Sequence, residues 1–272
     1  MRVDLHIHST CSDGCLKPGE IISLAARKGL SVISIADHDT VNHFEESKRE
    51  AEKRQLALIP AVEFSAFVSG QEVHILGYAP DQMNANLTRH LDQVRSRRTE
   101  RAHRILERLG SHNIHIPHSE LDLIPQKTTI GRLIIARLLL KHGYVRSINE
   151  AFDRYLGNRG SAFVPYEPAD AIEVIALIRE CGGISVFAHP SLQELENPGP
   201  VLCEAGLEGV EAYRPGLTEN ESLMVVKKAD ELGLLLTGGS DWHCEGGRFN
   251  LGDFFVDSGR IKDFLELAGV SA

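Results

Sequence analysis

Histidines and acidic residues recur at the carboxyl ends of the predicted strands of this chain. Residues 3–8 alternate apolar and polar side chains, which predicts a strand with Asp4, His6 and His8 on one face. The next predicted strand, 31–36, runs directly into the sequence Asp-His-Asp-Thr. Polar groups aimed into an interior destabilise it unless something satisfies them, and α/β sheets assemble their sites at the carboxyl ends of strands. The pattern predicts an α/β fold with a polar site at one end of its sheet.

The same kind of residue follows the other predicted strands. A third strand over 58–64 ends at an acidic residue, and the strands 184–188 and 234–238 each lead into ligand-type side chains. Together the candidate metal ligands are His6, His8, Asp13, His38, Glu63, His74, His189, Asp241 and His243.

Nine candidate ligands exceed the number that one ion needs. A zinc ion takes about four ligands, so the count indicates two or three divalent ions with a carboxylate such as Glu63 bridging. Mixed imidazole and carboxylate donors suit Mn, Fe or Zn, with Mg also an option. Clustered divalent ions activate water and neutralise charge on a phosphoryl group, which makes metal-assisted phosphoester hydrolysis the leading hypothesis.

The strand and helix alternation is interrupted in the middle of the chain. Between residues 84 and 157 only helical stretches are predicted, over 86–110, 129–142 and 147–156. We therefore expect one α/β domain formed by 1–83 and 158–272, with 84–157 as a helical insert. The first helix of the insert is rich in arginine, which is typical either of a solvated face or of a surface that meets phosphate.

Charge and composition limit the classes of partner. Lys and Arg total 29 against 38 Asp and Glu, a formal charge of −9, which disfavours an extended nucleic-acid groove and leaves small anionic substrates open. No apolar run is long enough for a membrane span. Five cysteines without paired motifs favour a reducing, cytoplasmic setting, and the pattern leaves the oligomeric state open.

The motifs around these ligands resemble those of the PHP (polymerase and histidinol phosphatase) family. They are His6-x-His8, the 37–40 turn, Glu63, His74, Ala188-His189-Pro190 and Gly239-Ser240-Asp241-x-His243. The resemblance implies a distorted seven-stranded (β/α) barrel, usually with three metal ions. It implies one ion on His6, His8, Glu63 and Asp241, a second on Glu63, His74 and His189, and a third on Asp13, His38 and His243.

Within the family, the insert resembles a branch containing 3′,5′-nucleoside bisphosphate phosphatases and a 5′-to-3′ exoribonuclease that acts on short RNA. The resemblance assigns Arg132 to the substrate phosphate, while Ile134 and Leu217 stand where the branch has histidines. Arg159 and Arg214 are further candidates for substrate binding.

The resulting hypothesis is hydrolysis of a phosphomonoester of a small nucleotide by a metal-bridging hydroxide. Asp241, His8 and His243 are the expected catalytic residues. The alternatives are an exonuclease on short oligonucleotides, a histidinol-phosphate phosphatase, and a binding module whose metal site is not catalytic.

The remaining polar residues have more ordinary interpretations. Asp37 and Asp39 are expected to orient neighbouring groups, Asp4 to support a ligand histidine, and Trp242 to pack. The other histidines, at positions 43, 90, 103, 112, 115, 118 and 142, are expected at the surface.

Overall fold

The structure is a computed structural model, and it describes residues 1–126, 128–246 and 249–270. The described chain forms two compact units. The first joins Met1–Thr88 to the chain from Pro168 onward, and the second is Arg89–Glu167. The second unit contains most of the expected insert, together with the extended segment that follows it.

The strands of the described residues all lie in the first unit. They are β1 (Arg2–Ile7), β2 (Val32–Ile35), β3 (Ala57–Leu58), β4 (Ala61–Val68), β5 (Gln71–Tyr78), β6 (Ala169–Asp170), β7 (Ile184–Phe187), β8 (Gly209–Tyr213), β9 (Leu235–Gly238) and β10 (Val256–Asp257). A four-stranded sheet has the order β10-β1-β2-β3, and a six-stranded sheet has the order β6-β4-β5-β7-β8-β9.

Both sheets are mixed, with a parallel majority. The pairs β1–β2, β2–β3, β4–β6, β7–β8 and β8–β9 are parallel, whereas β5 runs antiparallel to β4 and β7. The α/β class with parallel strands is therefore as predicted. The count of seven strands that the family resemblance implies was wrong, because the described residues form ten strands, three of them only two residues long, in sheets of four and six. The hydrogen bonding divides the strands between two sheets, so it does not confirm a closed barrel.

Helices cover the sheets and build the second unit. They are α1 (Pro18–Arg27), α2 (Phe44–Arg54), α3 (Ala85–Gly110), α4 (Ser119–Asp122), α5 (Arg132–Lys141), α6 (Ile148–Ala151), α7 (Ala171–Glu180), α8 (Leu192–Glu196), α9 (Gly199–Glu204), α10 (Glu219–Leu232) and α11 (Lys262–Leu267). A π-helix over Phe152–Leu156 extends α6, and a 3₁₀ turn over Ser258–Ile261 precedes α11.

The apolar pattern of each element explains its placement. In α1 the buried residues are Pro18, Ile21, Ile22 and Ala25, a spacing that puts them on one face of the helix. In β1, Val3 and Leu5 pack into one apolar cluster. Because side chains alternate along a strand, this packing turns the polar set of β1 to the opposite face.

Two isolated parallel bridges connect the sheets at the ends of their strands. One joins Ile7 to Trp242, and the other joins His38 to Glu63. The backbone N–H of His8 also donates to Trp242 O at 2.8 Å, and that of Asp39 donates to Glu63 O at 2.9 Å. The backbone itself therefore gathers the strand ends that carry the candidate ligands.

The second unit has its own apolar core. Ile105, Leu109, Ile135 and Leu139, from two of its helices, belong to that core. Two arginines of α3 are used structurally, since Arg101 Nε donates to Val164 O at 2.9 Å and Arg108 Nη1 donates to Phe163 O. At these two positions, arginines of α3 hold the extended segment that follows the π-helix in the same unit.

Two local expectations were wrong. Glu63 does not end a strand over 58–64 but lies third in β4, because β4 begins only after a break at Pro60 and continues into the hairpin with β5. His43 is buried instead of exposed, with Nε2 3.2 Å from Ala61 O. Charged neighbours in α2 give this position the sequence character of a surface helix.

We predict that Gly239→Ala destabilises the first unit. A Cβ at this position would lie 2.3 Å from His6 Cβ and 2.5 Å from the His6 backbone nitrogen, so β1 would have to move. The free energy of unfolding in urea, measured on chelator-treated protein, should fall by about 1–3 kcal/mol.

Gly199→Ala is the matched control, because the nearest atom to its added Cβ is at 3.6 Å, an ordinary contact. Equal stability of the two variants would contradict the close approach of residue 239 to β1.

Candidate metal centre

Glu63 is a fully buried carboxylate at the centre of a cluster of imidazoles. Its Oε1 lies 2.9 Å from His74 Nδ1 and 3.1 Å from His189 Nε2. Its Oε2 lies 3.3 Å from Nε2 of His6 and 3.3 Å from Nε2 of His8. The two oxygens therefore face different imidazoles, as a bridging carboxylate would.

His38 and Asp241 approach the same oxygen region from two other loops. His38 Nδ1 lies 2.9 Å from Glu63 Oε2. Asp241 Oδ1 lies 3.0 Å from His8 Nε2 and 3.7 Å from His6 Nε2. The Asp241 side chain is 42% exposed whereas those of both histidines are fully buried, so Asp241 lies on the solvent side of the cluster.

Asp13 gathers a second group beside His8. Its Oδ1 lies 3.3 Å from His243 Nε2 and 3.5 Å from His8 Nδ1, and its Oδ2 lies 3.8 Å from His38 Nε2. The rings of His8 and His243 stack with centroids 4.1 Å apart. All nine candidate ligands from the sequence thus lie in one continuous cluster.

Three sets of these side chains bring their donor atoms within 4.8 Å of one another. They are His8, Asp13, His38 and His243; His6, His8 and Asp241; and His38, Glu63 and His74. This grouping shares His8 and His38 between sets, whereas the family resemblance gives each of them one ion. His189 lies outside the three sets but contacts Glu63.

Buried atoms in the cluster fit divalent cations. His6 Nε2 and Glu63 Oε2 are buried and, among the described residues, have no hydrogen-bond partner. Burying such atoms unsatisfied costs free energy, which a cation coordinated by both would recover. Nitrogen and oxygen donors without thiolate match the chemistry of Mn, Fe or Zn.

The electrostatics of the cluster reflect charge sharing between acids and imidazoles. Burial alone lowers the pKa of His6, but the carboxylates around it, Glu63 first, raise it well above its usual value. Burial likewise lowers the pKa of His189 and of His243, yet hydrogen bonds to Glu63 and Asp13 raise both. Protons on these rings compensate the buried negative charge.

The pKa values of the acids shift in the opposite direction from those of these histidines. Burial raises the pKa of Asp13, of Glu63 and of Asp241, but the imidazoles beside them bring all three below their ordinary values. The pKa of His8 shifts in the opposite direction from those of His6, His189 and His243, because burial and the neighbouring His243 lower it. The acids are therefore ionised at neutral pH, as ligands must be.

Further acids hold the loops of the cluster. Asp37 Oδ1 accepts from the Ser9 backbone N–H at 2.7 Å and from Ser12 Oγ at 2.5 Å, which fixes the turn before Asp13. Asp39 Oδ1 accepts from the Ser65 backbone N–H at 3.1 Å. These contacts agree with the expected orienting role of both residues.

Asp4 contacts the candidate ligand His6, but through the backbone and not through the ring. Its Oδ1 accepts from the backbone N–H groups of Ser240 at 2.8 Å and His6 at 3.3 Å, so it fixes backbone and does not contact an imidazole ring. The ring of His6 instead meets Glu211, whose Oε1 lies 3.1 Å from His6 Nδ1. Sequence reasoning missed Glu211, although a lone acid within the apolar strand β8 was an available signal.

A disulfide joins two loops of the cluster and was not expected. Cys15 and Cys244 are bonded with their Cα atoms 5.2 Å apart, across 229 residues of sequence. The Cys15 backbone N–H also donates to His243 O at 2.9 Å. The pair lies next to the segments that carry Asp13 and His243, and its sequence separation hides it from any local motif.

The candidate substrate arginines lie in different units. Arg214 Nη2 donates to Pro190 O at 3.2 Å, which puts Arg214 beside the His189 loop. Arg132 belongs to the second unit, where Nη1 contacts Leu156 O at 3.3 Å and Asn158 Oδ1 at 3.2 Å. Arg159 is an exposed residue of that unit. Trp242 is buried and packs in an apolar cluster, as expected.

Comparisons with known proteins agree with the motifs. The PHP domain matches residues 4–125. A 5′-3′ exoribonuclease of Haemophilus influenzae is 33% identical over 256 residues, which cover 92% of this chain and 93% of that protein. A 3′,5′-nucleoside bisphosphate phosphatase of Chromobacterium violaceum is 29% identical, with 91% of this chain and 90% of that protein covered.

Solved structures give the same result. A Bifidobacterium adolescentis structure assigned as a metal-dependent phosphoesterase matches with a TM-score of 0.87 and 28% identity, covering 97% of this chain and 96% of that chain. The chain belongs to the PHP family.

Within the described parts of the sequence, no helix combines the length and apolar character needed to cross a bilayer.

We predict that the affinity of the cluster for Mn²⁺ falls as the pH is lowered from about 8 to about 6, where imidazoles titrate. The pKa values of His6, His189 and His243 are raised, which favours the protonated form of these rings in the metal-free protein. A cation must displace those protons, so acid competes with it. Calorimetry in buffers of different ionisation enthalpy should detect proton release on binding.

The exposed His112 supplies the control for this titration. His112→Ala should release as many protons as the wild type, and His189→Ala should release fewer. Mn²⁺ binding that is independent of pH and releases no protons would contradict the competition between protons and cations for these imidazoles.

Proposed function

We propose that this chain is a metal-dependent phosphoesterase that uses two or three divalent ions. The observation that carries the proposal is the convergence of six imidazoles and two further carboxylates, Asp13 and Asp241, in one cluster with the buried Glu63. Two buried donor atoms of this site, His6 Nε2 and Glu63 Oε2, have no hydrogen-bond partner among the described residues, and its relatives include enzymes named for phosphoester hydrolysis.

The proposed ligand sets are those that the family resemblance implies, and the contacts within each set support them. One ion would lie on His6, His8, Asp241 and Glu63, and a second on Glu63, His74 and His189. The third set consists of Asp13, His38 and His243. Mn, Fe and Zn are the preferred ions, and Mg remains an option with weaker affinity for imidazole.

Bound divalent ions would supply Lewis acidity and lower the pKa of a water molecule. The protein's own contribution is to hold the donors in place and to keep one side open. Asp241, the half-exposed member, and His243, whose Nδ1 lies 2.9 Å from Asp241 O, stand where a substrate from solvent would arrive. With His8, they are the residues to which we assign the chemistry.

The proposed substrate is a small nucleotide with a terminal phosphate, such as a 3′,5′-nucleoside bisphosphate. Arg214 is near enough to the His189 loop to meet a phosphate beside the cluster. The net charge of −9 disfavours a long nucleic-acid groove. Hydrolysis from the 5′ end of a short RNA is the second candidate, because the exoribonuclease relative is 33% identical to this chain.

Product analysis tests the proposal. The Mn²⁺-, Zn²⁺- or Mg²⁺-loaded protein is incubated with a 3′,5′-bisphosphate, a mononucleotide, histidinol phosphate and a 5′-phosphorylated RNA oligomer. Release of inorganic phosphate from the bisphosphate is expected, whereas release of mononucleotides from the oligomer would favour the exoribonuclease. Absence of turnover across the panel would make the site a binding module.

We predict that Asp241→Ala and His8→Ala each reduce turnover to background while the protein remains folded. Asp241 lies on the solvent side of the cluster, and His8 contacts both Glu63 and Asp13, so each change removes ligand atoms without opening the apolar core. Circular dichroism checks the fold and phosphate release checks activity. Wild-type turnover in either variant would refute the assignment, and His112→Ala should be fully active.

We predict that Arg132→Ala weakens kcat/KM by about 1–3 kcal/mol, mainly through KM, if its guanidinium holds a substrate phosphate. Arg154→Ala is the comparator, since Arg154 is an exposed arginine of the same unit that pairs with Glu150. A drop in melting temperature with unchanged KM would show instead that Arg132 serves only its contacts to Leu156 and Asn158.

A further inference from the structure

Glu211 is a fully buried carboxylate on β8 that touches two histidines of the cluster from behind. Its Oε1 lies 3.1 Å from His6 Nδ1, and its Oε2 accepts a hydrogen bond from the His189 backbone N–H at 2.9 Å. A carboxylate is expensive to bury, and here both of its oxygens are occupied by these two contacts. The residue therefore couples the end of β1 to the loop after β7.

The contact with His6 determines which ring nitrogen is available. A carboxylate only accepts, so His6 Nδ1 must carry the proton, and the neutral ring then presents its lone pair at Nε2. That nitrogen faces Glu63 Oε2 at 3.3 Å and Asp241 Oδ1 at 3.7 Å. The opposite tautomer would put a hydrogen where a cation would bind.

The contact with His189 determines backbone position. His189 has φ of 34°, a conformation that residues other than glycine adopt rarely. The hydrogen bond from its N–H to Glu211 holds this turn, and His189 Nε2 then lies 3.1 Å from Glu63 Oε1. One carboxylate thus orients the two rings that face opposite oxygens of Glu63.

We propose that Glu211 is a positioning residue that sets the metal affinity of the cluster through His6 and His189. The inference rests on the proposed metal-dependent function. Partners behind ligand imidazoles fix the tautomer and ring orientation, and changing them typically weakens metal binding about 10–100-fold.

Glu211→Gln is the sharpest test. The amide keeps the shape but only one acceptor oxygen, so it cannot serve both His6 and His189. We expect its Zn²⁺ and Mn²⁺ affinities, measured by calorimetry, to fall about 10–100-fold. The melting temperature after treatment with a chelator should stay within about 4 °C of the wild type.

A spectroscopic readout separates positioning from general stability. In the ¹⁵N spectrum of the Zn²⁺-loaded wild type, His6 should show a protonated Nδ1, and this signal should change in Glu211→Gln. The control is Glu208→Gln, because Glu208 also accepts from a backbone N–H, that of Ser185 at 3.1 Å, but precedes β8 at its other end. The control should match the wild type in both measurements.

The outcomes distinguish this inference from the proposed function. Wild-type metal affinity and an unchanged His6 signal in Glu211→Gln, with the wild type binding metal normally, would overturn the role of Glu211 alone. A wild-type protein that retains neither Zn²⁺ nor Mn²⁺ would overturn the metal centre, and the role of Glu211 with it.

Discussion

The burial of the Glu63 carboxylate is the constraint on which the first unit depends. A carboxylate with no exposed surface is tolerated only where positive charge or hydrogen bonds replace its lost hydration. Five imidazoles supply this replacement, from β1, from β5 and from the loops after β2 and β7. These segments are distant in sequence. The contacts that Glu63 requires therefore bring four parts of the fold to one place. The bridges Ile7–Trp242 and His38–Glu63 are the backbone counterpart of that requirement.

The acidic residues of this region have two different roles. Asp13, Glu63 and Asp241 face the imidazoles, whereas other acids hold strained backbone. Two members of the cluster, His189 and Asp241, and the neighbouring Asp39 have positive φ values of 34°, 52° and 49°. Such conformations cost about 1–3 kcal/mol each and persist only where their surroundings enforce them. Each lies at or next to a carboxylate-to-backbone hydrogen bond, formed by Asp39 itself, by Glu211 to His189, and by Asp4 to Ser240.

Local patterns made the α/β class, the helical middle region and the membership of the cluster predictable. Alternation placed His6 and His8 on one face, and their convergence with Asp241 followed from the common end of parallel strands. Features that no strand-end pattern announces were not predictable. In the sequence, Glu211 is a single acid within an apolar strand. Cys15 and Cys244 are 229 residues apart. The break at Pro60 places Glu63 in the hairpin strand β4. For Glu211 and for the two cysteines, the deciding partner lies outside the window in which hydrophobic periodicity operates.

The charge balance of the cluster bears on the proposed number of ions. Four carboxylates touch its imidazoles, namely Asp13, Glu63, Asp241 and Glu211, and contribute a charge of about −4 when the rings are neutral. Two divalent ions would only balance this charge, whereas three would leave the site at about +2. A phosphate ester approaching a protein with a net charge of −9 meets long-range repulsion, so a locally positive site is required to hold it. In the proposed function, a three-ion form would therefore hold a phosphate ester better than a two-ion form.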